Sequence, residues 1–126
     1  MRDQSQQKEV YWIGSARGDL RRFPEEVRYA VGYALYVAQT GGKHDRAKPL
    51  RGFGDAGVVE IVEEHDGNTY RAVYTVRFRE VIYVLHAFQK KSRKGIATPK
   101  PDIDIVKERL KTAAEHYAAF IQRSRG

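Results

Sequence analysis

Apolar residues recur at every third or fourth position between residues 27 and 38, a spacing that predicts an amphipathic helix with one buried stripe. The helix is expected to begin near Pro24, because a missing N–H costs nothing there and the acids Glu25 and Glu26 complement the helix dipole. Gly41-Gly42 is expected to end it. Residues before Pro24 are predicted to form a shorter helix, which would make a helical hairpin. The predicted stripe consists of Val27, Ala30, Val31, Ala34, Leu35 and Ala38.

The pattern changes to strand-like periodicity after residue 57. Residues 58–63 alternate between apolar and acidic side chains, and residues 70–78 also alternate. Residues 81–88 are nearly all apolar, as is typical of a strand covered on both faces. Asp66-Gly67 predicts a tight turn and Arg79-Glu80 a second break, so these three strands are expected to form an antiparallel meander. A short β-prone run at residues 9–13 is predicted to be a first strand.

A second helix is predicted near the end of the chain. Thr98-Pro99 is typical of an N-cap followed by a first-turn proline. The residues that this helix is expected to bury are Ile103, Val106, Leu110, Ala113 or Ala114, and Tyr117. The predicted fold class is α+β, with a small antiparallel β-sheet of about four strands, an N-terminal helix or helical hairpin and a C-terminal helix packed on it. Residues 9–121 are expected to form one domain between polar tails at 1–8 and 122–126.

Positive charge is concentrated in one segment of the chain. The 126 residues carry a formal net charge of +7, and residues 89–100 contain no acid. The cations in that segment are Lys90, Lys91, Arg93, Lys94 and Lys100. Such a cluster beside a buried strand favours a polyanionic partner, namely RNA, DNA or the ribosome. An anionic membrane is a poorer fit, because the segment is not one face of an apolar helix.

Composition excludes several classes of chemistry. The chain has no cysteine, which rules out disulfides, thiolate metal sites and cysteine nucleophiles. No stretch approaches the roughly 20 apolar residues of a membrane span, and the polar start lacks the apolar core of a signal peptide. We therefore expect a cytoplasmic protein.

Five short motifs, in a fixed order, carry a resemblance to a known family. They are Lys48-Pro49-Leu50-Arg51-Gly52, Val58-Val59-Glu60-Ile61, Tyr70-Arg71-Ala72-Val73-Tyr74, the run from Val84 to Lys91, and Thr98-Pro99. Together they resemble the HigB-like branch of the RelE/ParE toxin superfamily, which belongs to toxin–antitoxin modules of bacteria and their phages. The resemblance covers residues 10–117.

The resemblance implies a compact toxin that enters the ribosomal A site and cuts mRNA during translation. In that family the RNA 2′-hydroxyl attacks the adjacent phosphate without a metal or other cofactor. The implied partners are mRNA, the ribosome and a helix-turn-helix antitoxin that neutralises the toxin, with a toxin–antitoxin hetero-oligomer as the expected assembly.

Two arginines in the predicted strand at residues 70–78 are the first candidates for the site. Cleavage of this kind needs a group that deprotonates the 2′-hydroxyl, a group that protonates the leaving 5′-oxygen, and cations that stabilise the charged phosphorane. Arg71 and Arg77 are predicted to share a strand face and to clamp the phosphate. The alternative is that both are exposed strand charges paired with Glu60 or Glu63.

Lysines at the end of the last predicted strand are the next candidates. Lys90 and Lys91 are predicted to lie close to the scissile phosphate, while Arg93 and Lys94 contact the RNA backbone. Lys48 is expected to flank the same groove. The alternative is a solvated charged loop, as charge runs usually are.

His86 allows two interpretations. By alternation it shares a face with Ile82, Val84 and Phe88, which favours a hydrogen-bonded core residue; if one edge opens to the cleft, it would serve as acid or base. The other three histidines have no ligand spacing, so no metal site is expected.

Three tyrosines on the first long helix, Tyr29, Tyr33 and Tyr36, form a second stripe beside the aliphatic one. They either pack at the rim of the core or, if exposed together, offer a surface to an antitoxin or a second copy.

The sequence is also compatible with two other functions. A ParE-like toxin that inhibits gyrase without any chemistry uses the same scaffold, so the fold alone does not decide. A basic nucleic-acid-binding or phage accessory protein without toxicity is the third interpretation. The clustered lysines favour RNA contact, because a gyrase inhibitor needs no phosphate groove. The chain also departs from the family in its longer loop at residues 92–97 and in Pro101, which leaves the roles of the lysines open.

Overall fold

A mixed five-stranded β-sheet lies between two layers of helix in the computed structural model, which describes residues 7–90 and 98–125. In chain order the elements are β1 (Glu9–Trp12), α1 (Ala16–Arg21), α2 (Glu25–Gln39), β2 (Lys48–Pro49), β3 (Val58–His65), β4 (Asn68–Thr75), β5 (Val81–Lys90) and α3 (Lys100–Arg125). The strand order across the sheet is β1-β5-β4-β3-β2. The predicted α+β class is confirmed.

The predicted meander is confirmed, and the sheet extends beyond it at both edges. Strands β3, β4 and β5 pair antiparallel, and Asp66 and Gly67 make the tight turn with positive φ angles of 50° and 79°. Strand β1 pairs parallel with β5, so the expectation of an antiparallel sheet fails at this edge. At the other edge β2 adds a two-residue strand against β3, in a segment that the sequence predicted to be loop. The parallel pairing is possible because the α1–α2 hairpin supplies the long crossover that parallel strands require.

Each face of the sheet has its own hydrophobic core. The α1–α2 hairpin covers one face, and the predicted stripe on α2 is buried there except for the half-buried Ala30. Helix α3 covers the other face, where Val106 and Ala113 are fully buried and Ile103, Leu110 and Tyr117 pack at the margin. Because β4 and β5 are covered on both sides, nearly all of their side chains are buried.

A β-bulge in β5 decides which face the end of that strand presents to α3. Val73 pairs with His86 while the next residue, Tyr74, pairs with Val84, which leaves Leu85 as the extra residue. Consecutive strand residues normally point to opposite faces, but Leu85 belongs to the core on the α3 side and the next residue, His86, also contacts α3. The predicted face of His86 is therefore wrong in part: the ring stacks on Phe88, but it lies on the opposite face from Val84. Simple alternation fails because a bulge shifts the phase by one residue.

Arg77 lies outside the strand on which it was predicted. Strand β4 ends at Thr75. The backbone of Arg77 then lies against Gly57, which has a φ of 70°. A Cβ at Gly57 would collide with the Cβ of Arg77, so this crossing requires glycine. Arg77 is exposed, with its guanidinium 5.2 Å from the centre of the Phe78 ring. It therefore does not share a strand face with Arg71.

Candidate functional site

A cleft of about 1320 Å³ opens on the α3 side of the sheet, between the start of α3 and the edge formed by β2 and β3. Its lining mixes basic and acidic side chains. Its charged and hydroxyl-bearing lining residues are Asp45, Arg46, Lys48, Arg51, Glu60, Glu63, Glu64, Arg71, Thr98 and Lys100. A cleft of this size, bordered by cations, is large enough to admit a nucleotide segment.

Strand register explains why these distant residues meet. Lys48 pairs with Glu60, which pairs with Val73, and Val73 pairs with His86. Directly paired residues point to the same side of a sheet, and residues two apart on one strand do so as well. Lys48, Glu60 and Arg71 therefore project together toward the α3 side. Lys90 ends the same face of β5, opposite Thr69, and lies outside the residues that line the cleft.

Arg71 is the buried cation of the cleft, with only 3% of its surface exposed. Its Nη1 donates to Glu60 Oε1 at 3.2 Å and to Thr98 Oγ1 at 3.0 Å. The Thr98 hydroxyl in turn donates to the same Glu60 oxygen at 3.2 Å. Arg71 is thus paired with Glu60, as one interpretation of the sequence expected, but it is not solvent-exposed. Glu60 and Thr98 together hold the guanidinium in one orientation.

The other cations lie at the mouth of the cleft and are exposed. Arg46 contacts Glu63 Oε2 at 2.6 Å and donates to the Val62 carbonyl at 3.0 Å, which ties its loop to the edge of the sheet. Lys100 pairs with Asp104 at 3.1 Å on the outer side of α3. Lys48 and Arg51 make no ion pair with any residue that the structure describes. Such lysine and arginine heads are available to phosphate oxygens.

His86 lies beneath α3 and does not line the cleft. It is 6% exposed, its ring stacks on Phe88 with centroids 4.7 Å apart, and its Nε2 lies 2.7 Å from Asp102 Oδ1. Among residues 7–90 and 98–125, no group donates to or accepts from its buried Nδ1. A substrate in the cleft would not touch this ring, so a direct acid or base role has no geometric support.

Three of the sequence candidates, Lys91, Arg93 and Lys94, lie outside the described residues. Within the described ranges, no group of three or more histidine, aspartate or glutamate side chains is placed to hold a metal ion. The helices of those ranges also include none that is both long and apolar enough to cross a membrane.

Several residues in the cleft and in the nearby contact of α3 with the sheet carry no clear signal in the sequence. Glu60 follows the alternation of its strand, and the sequence indicates no role for it beyond that of an ion-pair partner. The sequence predicts Thr98 to be a helix cap, but its hydroxyl contacts Arg71 and Glu60. The first hydrogen bonds of α3 are accepted by the Pro99 carbonyl. Asp102 resembles any acid in a helix first turn. Only the meeting of α3 with the sheet reveals these roles.

A tyrosine would be a candidate for proton transfer if its pKa lay near neutrality, and Tyr74 and Tyr83 do not meet this condition. Burial raises the pKa of Tyr74 to about 12, and burial is also the main cause that raises the pKa of Tyr83 to about 12. The Tyr83 hydroxyl lies 2.7 Å from His116 Nδ1, on the α3 side but away from the cleft lining. Neither phenol serves as a base at physiological pH.

The three α2 tyrosines are exposed together. Tyr29, Tyr33 and Tyr36 show 71%, 59% and 52% of their surface, and Tyr33 packs edge-on against His44 with centroids 5.5 Å apart. The interpretation that these tyrosines pack at the rim of the core is therefore wrong. They lie over the sheet face opposite the cleft.

The arrangement of sheet, hairpin and α3 is that of RelE-type toxins. A mutant of the E. coli toxin RelE in the free state matches with a TM-score of 0.53 at 19% identity, covering 84% of this chain and 97% of that chain. The toxin–antitoxin complex RelBE2 from Mycobacterium tuberculosis gives a TM-score of 0.45 at 21% identity, covering 67% and 99% respectively. A comparison with curated proteins found no match.

A family model described as phage derived protein Gp49-like matches residues 18–111. The chain therefore belongs to this Gp49-like family. The predicted RelE-type fold is confirmed, and the assignment to a HigB-like branch stays a prediction.

Proposed function

We propose that the protein is the toxin of a type II toxin–antitoxin module and acts as a ribosome-dependent, metal-independent mRNA endoribonuclease. The observation that carries this proposal is the cleft on the α3 side of the sheet. It combines one buried, oriented arginine, Arg71, with exposed cations at its mouth, namely Lys48, Arg51 and Lys100. A preorganised cation where charge develops is the largest single aid to phosphoryl chemistry.

In the proposed reaction the 2′-oxygen of one nucleotide bonds to the adjacent phosphorus, and the bond from phosphorus to the 5′-oxygen breaks. The 2′-hydroxyl proton leaves to a base and a proton reaches the 5′-oxygen, so a cyclic phosphate and a free 5′-hydroxyl result. Arg71 and Lys48 would stabilise the extra negative charge of the phosphorane. As a phosphate oxygen enters, it would replace Glu60 as a partner of the guanidinium, since both are anionic acceptors.

The composition of the cleft supports the proposed dependence on the ribosome. Among the described residues that line the cleft there is no histidine, and a set of lysines and arginines is weak at proton transfer. Such a site gains most from external placement of the scissile phosphate, because orientation alone supplies a large part of a barrier reduction. Lys90, Lys91, Arg93 and Lys94 remain proposed contacts to the RNA backbone or to ribosomal RNA.

The proposal also includes a partner and a place of action. A helix-turn-helix antitoxin, in a hetero-oligomer with this chain, would keep the toxin inactive. Translating ribosomes would place its action in the cytoplasm.

The test is primer extension on a defined mRNA in a reconstituted translation reaction, with a ribosome-free control. We expect cuts only when ribosomes are present, and a large loss of cutting for Lys48→Ala and for Lys100→Ala. Both residues are exposed, so neither change should unfold the domain. Arg22→Ala, on the α1 side of the sheet, is the matched control for loss of one exposed cation. Absence of cuts by the folded wild-type protein would overturn the nuclease proposal, and a gyrase supercoiling assay would follow.

A further inference from the structure

Helix α3 is tied to the sheet on both sides of its first residue. Thr98, just before the helix, accepts from Arg71 at 3.0 Å, and Asp102, in its first turn, lies 2.7 Å from His86 Nε2. We propose that His86 and Asp102 are a positioning pair, which holds the start of α3 so that Thr98 stays on Arg71. This inference rests on the proposed function and deepens it, since it names residues that act through Arg71 without touching RNA.

Side-chain contacts and one strand pairing together form a closed ring. Phe88 lies directly opposite Arg71 in the β4–β5 pairing, and the His86 ring stacks on Phe88 at an interplanar angle of 24°. The path from Thr98 through Arg71, Phe88 and His86 to Asp102 then closes through one turn of α3. Because each link is buried or half-buried, loss of one anchor is expected to shift the other.

The bulge in β5 is what makes this ring possible. Without the extra residue Leu85, alternation would aim His86 at the α1–α2 side, away from Asp102. A bulge also leaves a backbone group without its ladder partner, and here Arg109 of α3 donates to the Leu85 carbonyl at 2.9 Å. The same guanidinium donates to Ser15 Oγ at 3.1 Å. Helix α3 thus recognises the bulge directly, at a second point along its length.

The unused nitrogen of His86 argues against a merely space-filling role. Its Nδ1 is buried without a hydrogen-bond partner in the described parts of the chain. Such an atom lowers stability, so an apolar ring would suit a purely structural position better. The histidine is explained by its other nitrogen, Nε2, which forms a hydrogen bond with Asp102 Oδ1 that an apolar ring could not make.

Cleavage kinetics in the reconstituted translation reaction test the pair. His86→Phe keeps a buried ring and Asp102→Ala removes the acceptor, and we expect each to lower kcat on the order of tenfold with KM for ribosomes unchanged. Asp102→Asn keeps an acceptor oxygen for Nε2 and should restore most of the activity lost in Asp102→Ala. Glu108→Ala, which removes an acid from the exposed side of α3, is the matched control and should behave as wild type.

Amide hydrogen exchange separates this inference from the proposed function. Amides of residues 100–104 other than proline should exchange faster in His86→Phe and Asp102→Ala, and at the wild-type rate in Asp102→Asn and Glu108→Ala. That result would support the pair even if the wild-type protein cut no mRNA, in which case only the proposed function fails. Unchanged exchange and unchanged cutting in folded His86→Phe and Asp102→Ala would overturn the inference. Equal loss of cutting in Asp102→Asn and Asp102→Ala, with unchanged exchange in both, would also overturn it.

Discussion

Replacing Arg71 by alanine tests the buried ion pair at the floor of the cleft. The Arg71 side chain is 4% exposed and that of Glu60 is 18% exposed, so the substitution leaves a mostly buried carboxylate without its cation. Breaking a buried pair from one side costs about 3–5 kcal/mol, and the partial exposure of Glu60 places the expected cost near the lower end. For a domain of this size that corresponds to a fall in melting temperature of roughly 10 °C.

The double variant Arg71→Met with Glu60→Met separates stability from function. It removes both charges and keeps apolar volume, so its free energy of unfolding should return to within about 1.5 kcal/mol of wild type. It should nevertheless cut no mRNA, because the oriented cation is gone. Urea denaturation followed by circular dichroism measures the free energy of unfolding of each variant. A cycle completed with Arg71→Met alone and Glu60→Met alone gives the coupling energy of the pair.

An exposed strand arginine would behave differently, since surface ion pairs contribute about 0–1 kcal/mol. A cost below about 1 kcal/mol for Arg71→Ala would refute the buried-pair reasoning. So would a double variant as unstable as the single one. The alternative interpretation of the sequence, an exposed Arg71 paired with Glu60, would predict such a small cost, whereas Arg71 is buried.

Three further expectations follow from the structure. Gly57→Ala should lower the free energy of unfolding by about 1–3 kcal/mol in urea, because φ is positive there and the new Cβ meets Arg77; Gly18→Ala, where a Cβ has open space, should not. The free energy of unfolding should fall as pH rises from about 10 through 12, because burial raises the pKa of Tyr74 in the folded protein to about 12. Over this range the unfolded chain, in which the pKa of the tyrosine is 10, loses the phenol proton while the folded protein keeps it. Tyr74→Phe should flatten this pH dependence, as measured by pH-jump denaturation. Tyr33→Ala should leave mRNA cutting and stability near wild type, since this exposed side chain lies over the sheet face opposite the cleft, and a changed cutting rate in the primer-extension assay would contradict that placement.

Local signals were enough for most of the secondary structure. The spacing of apolar residues on α2, the turn at Asp66-Gly67 and the apolar run of β5 each depend on neighbours within a few residues. The family motifs also led to the RelE-type fold, and they pointed to Lys48 and Arg71, which the cleft brings together.

Predictions from the sequence were wrong where a residue's structure depends on a partner that is distant in the chain. The parallel pairing of β1 depends on β5, about 70 residues away, and the edge strand β2 exists only because Lys48 and Pro49 meet β3. Arg77 leaves the strand pattern because Gly57 lets the chain cross there.

The sequence by itself determined most of the helices and strands, and that residues 89–100 carry five cations and no acid. Only the tertiary structure decided that Arg71 is a buried, oriented cation and that His86 turns toward α3. The physical reason is the bulge at Leu85 together with the docking of α3. A one-residue shift of pairing reverses the face of every side chain beyond it, and its cost and gain depend on contacts that no local pattern contains.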